Sequence, residues 1–247
     1  MKYFAKINYL GTSFHGFQVQ PGLRTVQGEL CSALEKAFGV PCKVTGCSRT
    51  DAGVHANEFC IKIENDGGTI PADKLPIAVA RFLPEDISLY FAEECRDDFH
   101  PRYDVISKEY LYRIRNRCVF DPFDFGRAWF IPRNIDENAI SVMKEASKHI
   151  VGRHDFSAFM SEGSDVDDTV RTVFYIDIQK TGDLIEIKVC ADGFLYNMVR
   201  IIVGTLIDVA FGRILPNDIK NIIESRNRAK AGMTAPAEGL YLNRVTY

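Results

Sequence analysis

The segment best suited to chemistry is residues 46–56, which read GCSRTDAGVHA. Arg49 and Asp51 are two positions apart, so in an extended chain their side chains project to the same side. A neighbouring arginine favours the ionised form of an aspartate, and a fixed carboxylate can serve as a nucleophile or a base. An aspartate before an Ala-Gly pair is also a common turn or cap residue. The pattern alone leaves both interpretations open.

Two further segments place charged or aromatic side chains where chemistry could use them. Arg200 lies among apolar residues of a predicted helix, where it either extends to solvent or has a buried partner such as a catalytic carboxylate. In residues 108–115, KEYLYRIR, alternation puts Tyr110 and Tyr112 on one strand face and arginines on the other. Such a strand can stack bases beside phosphate-binding groups, or it can have an ordinary aromatic core face and a charged solvent face.

Several site classes are disfavoured by the absence of their motifs. The five histidines show no H-x-x-x-H spacing, and the chain has no P-loop, dinucleotide-binding or G-x-S-x-G motif. The seven cysteines contain no C-x-x-C pair, which favours free thiols in a reducing cytoplasm over a disulfide framework or a zinc site. The acidic segment 161–168 lacks the pattern of a calcium loop and is predicted to be a solvated loop. We therefore expect no metal and no cofactor.

Composition and charge bound the class of protein. The chain has 247 residues, 46% hydrophobic and 26% charged, which predicts one or two globular domains. Its net charge of −3 argues against a uniformly basic protein that coats nucleic acid. Five successive blocks, ending at residues 60, 98, 133, 190 and 247, carry +2, −5, +3, −5 and +2. Asp51, Tyr110 and Arg200 fall in the three positive blocks, so we expect a basic cleft on an acidic protein.

No targeting or membrane segment is predicted. Residues 1–11 include Lys6 and Asn8, which does not fit the apolar core of a signal peptide. The most apolar stretch, residues 198–212, is interrupted by Arg200 and Asp208 and is better interpreted as a helix of a soluble protein.

The coarse pattern alternates strands and helices in two similar halves. Strands are predicted over residues 3–10, 44–50, 58–64, 87–93, 108–116, 170–178, 184–190 and 239–247. Helices are predicted after Thr25 as far as Gly39, and over 73–82, 136–151, 196–211 and 216–224, with a long loop at 117–132. Each half has the order β-α-β-β-α-β, which is typical of a split βαβ fold. We therefore predict an α+β protein with domains 1–100 and 101–247.

Residues 48–56 resemble the signature of the tRNA pseudouridine synthase A (TruA) family, and the resemblance runs over nearly the whole chain. The other segments that carry it are 9–18 (YLGTSFHGFQ), 25–30 (TVQGEL), 108–112 (KEYLY), 154–159 (HDFSAF), 171–172 (RT), 194–200 (FLYNMVR) and 235–242 (APAEGLYL). Asn197 stands where many members have a histidine, and Glu238 lies at a variable position.

This resemblance implies an isomerase that converts uridine to pseudouridine at nucleotides 38–40 of the tRNA anticodon arm. The N1–C1′ bond breaks, the uracil turns over, and C5 joins C1′ without a cofactor. Asp51 matches the catalytic carboxylate, which attacks the sugar, adds to the base or removes a sugar proton. Arg49 matches the residue associated with base flipping, and Tyr110 matches the tyrosine that stacks on the uracil. Arg200 matches the basic partner of the carboxylate, and Leu242 is expected to form a pocket wall.

The resemblance also implies an assembly and a fold. Members of the family are homodimers whose RNA cleft is shared between subunits. Each subunit has two ferredoxin-like halves joined into one long mixed, mainly antiparallel sheet with helices on one face. A cytoplasmic location, no membrane contact and a tRNA partner follow. We expect phosphate contacts from Arg113, Arg115 or Arg117.

Two functions of other classes remain as alternatives. A non-catalytic module of tandem RRM-like halves would explain the aromatic and basic strand, but it gives no reason for Asp51 or Arg200 and lacks the aromatic-rich RRM string. A carboxylate-dependent glycosidase needs two acids in partnered roles, and the sequence shows one placed acid near the motif.

Overall fold

The computed structural model describes residues 1–163 and 166–247. Its strands in chain order are β1 (Lys2–Tyr9), β2 (Cys42–Gly46), β3 (His55–Asn65), β4 (Ile87–Glu94), β5 (Ser107–Asn116), β6 (Trp129–Ile131), β7 (Gly152–Asp155), β8 (Val170–Thr181), β9 (Leu184–Ala191) and β10 (Leu240–Thr246). Its helices are α1 (Val26–Phe38), α2 (Leu75–Ala80), α3 (Glu137–Ser147), α4 (Met198–Ala210) and α5 (Asp218–Ser225). The fold class is α+β with mixed strand pairing, as predicted.

The chain forms two compact units. Unit 1 comprises Met1–Ile106 and Tyr241–Tyr247, and unit 2 comprises Ser107–Leu240. The predicted domain 101–247 includes the closing strand, whereas β10 belongs to unit 1, where it pairs in parallel with β3. Residues 164–165 of the predicted acidic loop 161–168 lie outside the described residues. Within the described ranges, no helix has both the length and the apolar character needed to cross a bilayer.

In unit 1, the central strand is β3. It pairs antiparallel with β1 and β2, and β4 pairs antiparallel with the far edge of β1. Every second residue of β1 from Tyr3 to Tyr9 is buried, which gives one continuous apolar face. Helix α1 supplies the opposing apolar stripe, and its Phe38 ring lies 5.8 Å from the ring of Tyr3.

The ends of α1 follow the predicted signals. The Thr25 side chain accepts a hydrogen bond from the Gly28 N–H, which satisfies one of the free amides of the first turn. Gly39 ends the helix with φ +74°, a left-handed conformation that glycine adopts without steric cost.

In unit 2, the strands pair in the antiparallel order β5-β9-β8-β7, and the short β6 adds in parallel to β5. Helix α4 is buried around nearly its whole circumference, as expected for a helix that is apolar on all sides. Residues 232–235 cross it closely, since a Cβ on Gly204 would lie 1.8 Å from the Met233 carbonyl oxygen. Glycine at 204 therefore permits this backbone-to-helix contact.

A carboxylate also holds together part of unit 2. Asp155, at the end of β7, accepts hydrogen bonds from the Ser157 N–H and the Thr169 hydroxyl and pairs with Arg226. Burial acts to raise the pKa of Asp155, but these hydrogen bonds and the arginine charge outweigh it and lower the pKa.

Several predicted element boundaries differ from the structure, and two of them lie close to predicted site residues. The strand predicted to reach Thr50 ends at Gly46, where the Phe17 ring lies beside the glycine and stacks on Phe59 with ring centroids 4.3 Å apart. The helix predicted from Tyr196 begins at Met198, because Asn197 adopts a left-handed φ of 59°.

Candidate active site

Asp51 lies in the loop between β2 and β3, where it begins a tight turn. The Val54 N–H donates to the Asp51 carbonyl oxygen at 3.2 Å. Gly53 has φ +79°, the positive value that the third position of a type II turn requires. The Asp51 side chain is half-buried. The predicted Ala-Gly turn is therefore present and fixes the backbone at Asp51, although Arg49 and Asp51 do not lie on an extended strand.

Residues 9–17, which we call the anchor segment, hold this loop through the backbone. The Phe17 N–H donates to the Thr50 carbonyl oxygen at 3.1 Å, and the Gly53 N–H donates to the Phe14 carbonyl oxygen at 3.3 Å. These two bonds fall on either side of Asp51. They fix the chain before and after the carboxylate against the same rigid segment.

Two side chains strengthen this attachment. The Tyr9 and Thr50 hydroxyls share a hydrogen bond of 2.8 Å, and both residues are almost completely buried. The Gly11 N–H donates at 2.9 Å to Nδ1 of His55, the first residue of β3. Because Nδ1 accepts this bond, neutral His55 carries its proton on Nε2.

The anchor segment and the loop approach each other so closely that only glycine fits at two positions. A Cβ on Gly11 would lie 2.0 Å from the Val54 carbonyl oxygen. A Cβ on Gly16, which has φ +88°, would lie 2.6 Å from the Thr50 carbonyl oxygen. Any larger side chain at these positions must displace the backbone beside Asp51.

Leu242 lies beside the start of β3. It pairs with Ala56 in the parallel register of β10, and its side chain is fully buried. The preceding Tyr241 stacks on the His55 imidazole with ring centroids 4.4 Å apart. The strand β10 thus covers the residues that immediately follow the Asp51 turn, and the role of Leu242 as a pocket wall stays a prediction.

The predicted arginines differ in whether an acidic side chain already pairs with them. Arg49 is exposed and forms no ion pair with any residue that the structure describes. On β5, Arg113 pairs with Glu186 at 3.1 Å and Arg115 pairs with Asp124 and Asp183, each at 2.9 Å. Acidic side chains therefore already neutralise the β5 arginines.

Arg117, just beyond β5, is also engaged, with Asp121, Asp124 and Asp183. The expectation that Arg113, Arg115 or Arg117 contacts phosphates is consequently weakened. A phosphate would have to displace carboxylates that are already in place.

In unit 2, Arg200 is half-buried and its guanidinium is hydrogen-bonded. Its Nε donates to the Ala235 carbonyl oxygen at 2.7 Å, while the Ala235 N–H donates back to the Arg200 carbonyl oxygen at 3.1 Å. One guanidinium nitrogen also donates to Asn197 Oδ1 at 2.8 Å. Arg200 is therefore held by partners within its own unit and does not simply extend to solvent.

Asn197 gives Arg200 its orientation. Its left-handed backbone is one that asparagine tolerates better than most residues. Its amide nitrogen donates to the Ser161 hydroxyl at 3.0 Å, so its oxygen remains directed at Arg200. This side chain was noted from sequence only as a departure from the family pattern, and its bridging role depends on the turn before α4.

The two tyrosines of β5 have different environments. Tyr112 and Ile114 are fully buried, and the Tyr112 hydroxyl donates to the Pro236 carbonyl oxygen at 2.7 Å. Tyr110 retains 7% exposure, and its ring meets that of Phe194 edge-on with centroids 5.0 Å apart. Tyr112 is thus a core residue, and Tyr110 is also largely buried but keeps a small exposed fraction.

Burial dominates the electrostatics near Arg200. It raises the pKa of Tyr112 well above its usual range, although the positive charge of Arg200 opposes the shift. Burial also raises the pKa of Glu238. Both groups are therefore biased towards their neutral forms.

Unit 1 also contains an open cavity of about 550 Å³. It is lined by the aromatic residues Phe4, Phe91, Phe99 and Tyr247, and its Glu58 carboxylate is paired with Lys6 at 2.8 Å. None of the predicted site residues lines it. In the described part of the chain, no group of three or more His, Cys, Asp or Glu side chains is arranged to hold a metal ion.

Comparison with known proteins identifies the family. A family model described as tRNA pseudouridine synthase matches residues 5–104 and 146–247. The chain therefore belongs to the tRNA pseudouridine synthase family and is an isomerase. The matched ranges include Asp51, Arg200 and Leu242, whereas Tyr110 lies between them.

Relatives with this name extend over nearly the whole chain. The chain is 45% identical over 244 residues to "tRNA pseudouridine synthase A 2" of Clostridium tetani, covering 98% of this chain and 97% of the relative. It is 44% identical over 243 residues to "tRNA pseudouridine synthase A" of Thermoanaerobacter sp. (strain X514), with 98% and 97% covered. It is 43% identical over 249 residues to the protein of that name from Bacillus licheniformis, with 100% and 99% covered.

Among solved structures, the chain resembles one described as "Crystal Structure of a Cbf5-Nop10-Gar1 Complex". The TM-score is 0.39 at 14% identity, covering 98% of this chain and 49% of that one. A likeness of this size adds nothing to the argument from the sequence relatives.

Proposed function

We propose that this protein converts uridine to pseudouridine at nucleotides 38–40 of the tRNA anticodon arm, with Asp51 as the catalytic carboxylate. The observation that carries the proposal is the fixed presentation of Asp51. Backbone hydrogen bonds from the anchor segment to Thr50 and Gly53 hold the chain on both sides of Asp51. A carboxylate held in place in this way can act on a substrate without first losing conformational freedom.

The reaction is balanced within the nucleotide itself. The N1–C1′ bond breaks, the C5–C1′ bond forms, and the proton on C5 is replaced by one on N1. No electrons are gained or lost overall, so the chemistry requires a carboxylate and a proton relay and no redox group. Asp51 supplies the carboxylate, and Tyr110 assists the proton transfer at C5.

The target base leaves the helical stack before it reacts. Unstacking a nucleotide costs about a few kcal/mol, and contacts with the extruded nucleotide must offset it. Arg49, two residues before Asp51, supports this step. Its guanidinium is exposed and forms no ion pair with any residue that the structure describes. The Tyr110 ring, fixed edge-on against Phe194, offers a rigid surface for the flipped uracil.

Arg200 and Leu242 complete the site in the proposal. Arg200 takes the role that the family resemblance implies, the basic partner of the catalytic carboxylate. The bonds from Arg200 to Ala235 and Asn197 would orient the guanidinium before substrate arrives. Leu242 forms an apolar wall next to the residues that follow the Asp51 turn.

We also propose that the protein is a homodimer in the cytoplasm. The segment between β5 and β6 exposes four large apolar side chains, namely Val119, Phe120, Phe123 and Phe125. An apolar group of this density on a surface is typical of a protein–protein contact. The seven cysteines are all free, which suits a reducing compartment. Light scattering at micromolar concentration measures the mass, and a monomer would contradict the dimer.

The decisive experiment compares Asp51→Asn with wild-type enzyme on an anticodon stem-loop transcript. Pseudouridine is detected by carbodiimide labelling and primer extension. Asp51→Asn keeps the side-chain shape and removes the charge, so it should form no product. Asp66→Asn, at an exposed carboxylate of the same unit, is the matched control and should react normally.

Each other outcome identifies a different error in the proposal. Wild-type turnover by Asp51→Asn would show that the catalytic residue is wrong. Release of free uracil would point to a glycosidase, and tRNA binding without any product would point to a binding module. Mapping total tRNA with and without the enzyme then tests whether modification falls at nucleotides 38–40.

A further inference from the structure

We propose that the hydrogen bond between the Tyr9 and Thr50 hydroxyls positions the Asp51 carboxylate, so that Tyr9 is a positioning residue for the reaction. This inference rests on the proposed catalytic role of Asp51. The two hydroxyl oxygens are 2.8 Å apart, and 4% of Tyr9 and 8% of Thr50 is exposed. Buried hydroxyls of this kind are nearly always paired, and each is the partner of the other here.

The bond constrains Asp51 because Thr50 is held at both ends. Its side chain is fixed by Tyr9 and its carbonyl oxygen by the Phe17 N–H. With these atoms fixed, the peptide plane that leads into Asp51 has one orientation. When the hydrogen bond between the two hydroxyls is lost, Thr50 keeps the bond from the Phe17 N–H to its carbonyl oxygen. The peptide plane can then rotate about that bond.

The Tyr9 ring is itself immobile, so its hydroxyl is a fixed reference point. The ring packs against Phe59 with centroids 5.7 Å apart, and Phe59 in turn stacks on Phe17 with centroids 4.3 Å apart. Tyr9→Phe therefore keeps the ring in place and removes the hydroxyl alone. The effect of the substitution then reports on the hydrogen bond rather than on the core.

The same strand provides a matched control. Tyr3 is also fully buried on the helix-facing side of β1, and its hydroxyl donates to the Ile70 carbonyl oxygen at 2.8 Å. Tyr3→Phe removes a part-buried tyrosine hydrogen bond of the same length, and a contact of the hydroxyl with the Met1 sulfur, from the same unit without touching the Asp51 loop. It measures the general cost of losing such a bond.

The test measures kcat and KM for an anticodon stem-loop with five proteins. These are wild type, Tyr9→Phe, Thr50→Val, Thr50→Ser and Tyr3→Phe. We expect Tyr9→Phe and Thr50→Val to lower kcat by about ten- to a hundredfold, the effect of small misplacements at a reacting centre. KM should change by less than about twofold, since the loop backbone and Arg49 still meet the RNA. Thr50→Ser should restore kcat because it keeps the hydroxyl.

Thermal unfolding of the same proteins separates positioning from stability. Tyr9→Phe and Tyr3→Phe should lower the melting temperature by similar amounts, while only Tyr9→Phe loses kcat. A double variant, Tyr9→Phe with Thr50→Val, should be no slower than the slower single variant, since both remove one bond. Additive losses would show that the two hydroxyls act separately and would overturn the inference.

The outcomes distinguish this inference from the proposed function. Normal kcat in Tyr9→Phe and Thr50→Val, together with an inactive Asp51→Asn, would refute the positioning role and leave the function standing. An equal loss of kcat in Tyr3→Phe would also refute it, because the effect would then be one of stability. A wild-type protein that forms no pseudouridine would overturn both.

Discussion

Replacing Gly16 with alanine should slow catalysis much more than it destabilises the protein. Gly16 has φ +88°, and a Cβ there would lie 2.6 Å from the Thr50 carbonyl oxygen. An ordinary contact begins near 3.4 Å, so the Thr50 backbone or the anchor segment must move by about 0.8 Å. Thr50 is adjacent to Asp51, and a misplacement of about 1 Å can cost about a hundredfold in rate. We therefore expect kcat for pseudouridine formation to fall by one to two orders of magnitude.

Gly22 provides a control that separates this steric clash from the cost of the left-handed backbone. Gly22 has a similar φ of +74°, and a Cβ there would meet nothing within 4 Å. Alanine at either position adopts the left-handed conformation at a cost of about 1–2 kcal/mol. Gly22→Ala should consequently lose stability in urea unfolding and keep wild-type kcat. The reasoning would be refuted if Gly16→Ala kept wild-type kcat, or if both variants lost kcat equally.

Three further outcomes are expected. Tyr110→Phe should keep tRNA affinity in a filter-binding assay and lose turnover, because the ring still stacks without its hydroxyl; unchanged turnover would restrict Tyr110 to stacking. Arg49→Gln should reduce the slope of log affinity against log salt concentration by about one unit, whereas Arg113→Gln should not, because Glu186 already pairs with Arg113. The reverse result would show that the β5 ion pair opens to receive phosphate. Asp155→Asn should lower the free energy of unfolding by about 1 kcal/mol at pH 7. Folding lowers the pKa of Asp155. The difference in unfolding free energy between wild type and Asp155→Asn should therefore be complete above the unfolded-state pKa of about 3.9 and fade as the pH falls through the folded-state pKa. A difference that stayed constant down to about pH 2 would contradict the assignment.

Local signals in the sequence were reliable where short-range physics decides the structure. Thr25 and Gly39 cap α1 as predicted, since capping depends on residues only a few positions apart. The Ala-Gly turn after Asp51 is present for the same reason. The alternation of β5 correctly placed Tyr110 and Tyr112 on one face, and both are largely or wholly buried.

Long-range contacts were beyond the reach of pattern alone. The carboxylates that neutralise Arg115 come from Asp124 and Asp183, which lie 9 and 68 positions away. Whether Tyr112 faces substrate or core depends on Pro236, which is 124 positions away. Gly16 appeared in the quoted family motif, but its function became clear only when the fold brought it against Thr50.

The place of β10 in unit 1 has a consequence for biosynthesis. On the ribosome, residues 107–240 emerge before the strand that completes the first unit, so for that interval the start of β3 lacks its parallel partner. An open strand edge is a site for wrong pairing and aggregation. The exposed edge lies at His55 and Ala56, directly after the Asp51 turn. Newly made chains should therefore complete the surroundings of the Asp51 loop only after β10 has been synthesised, and until then self-association through this edge competes with correct closure by β10.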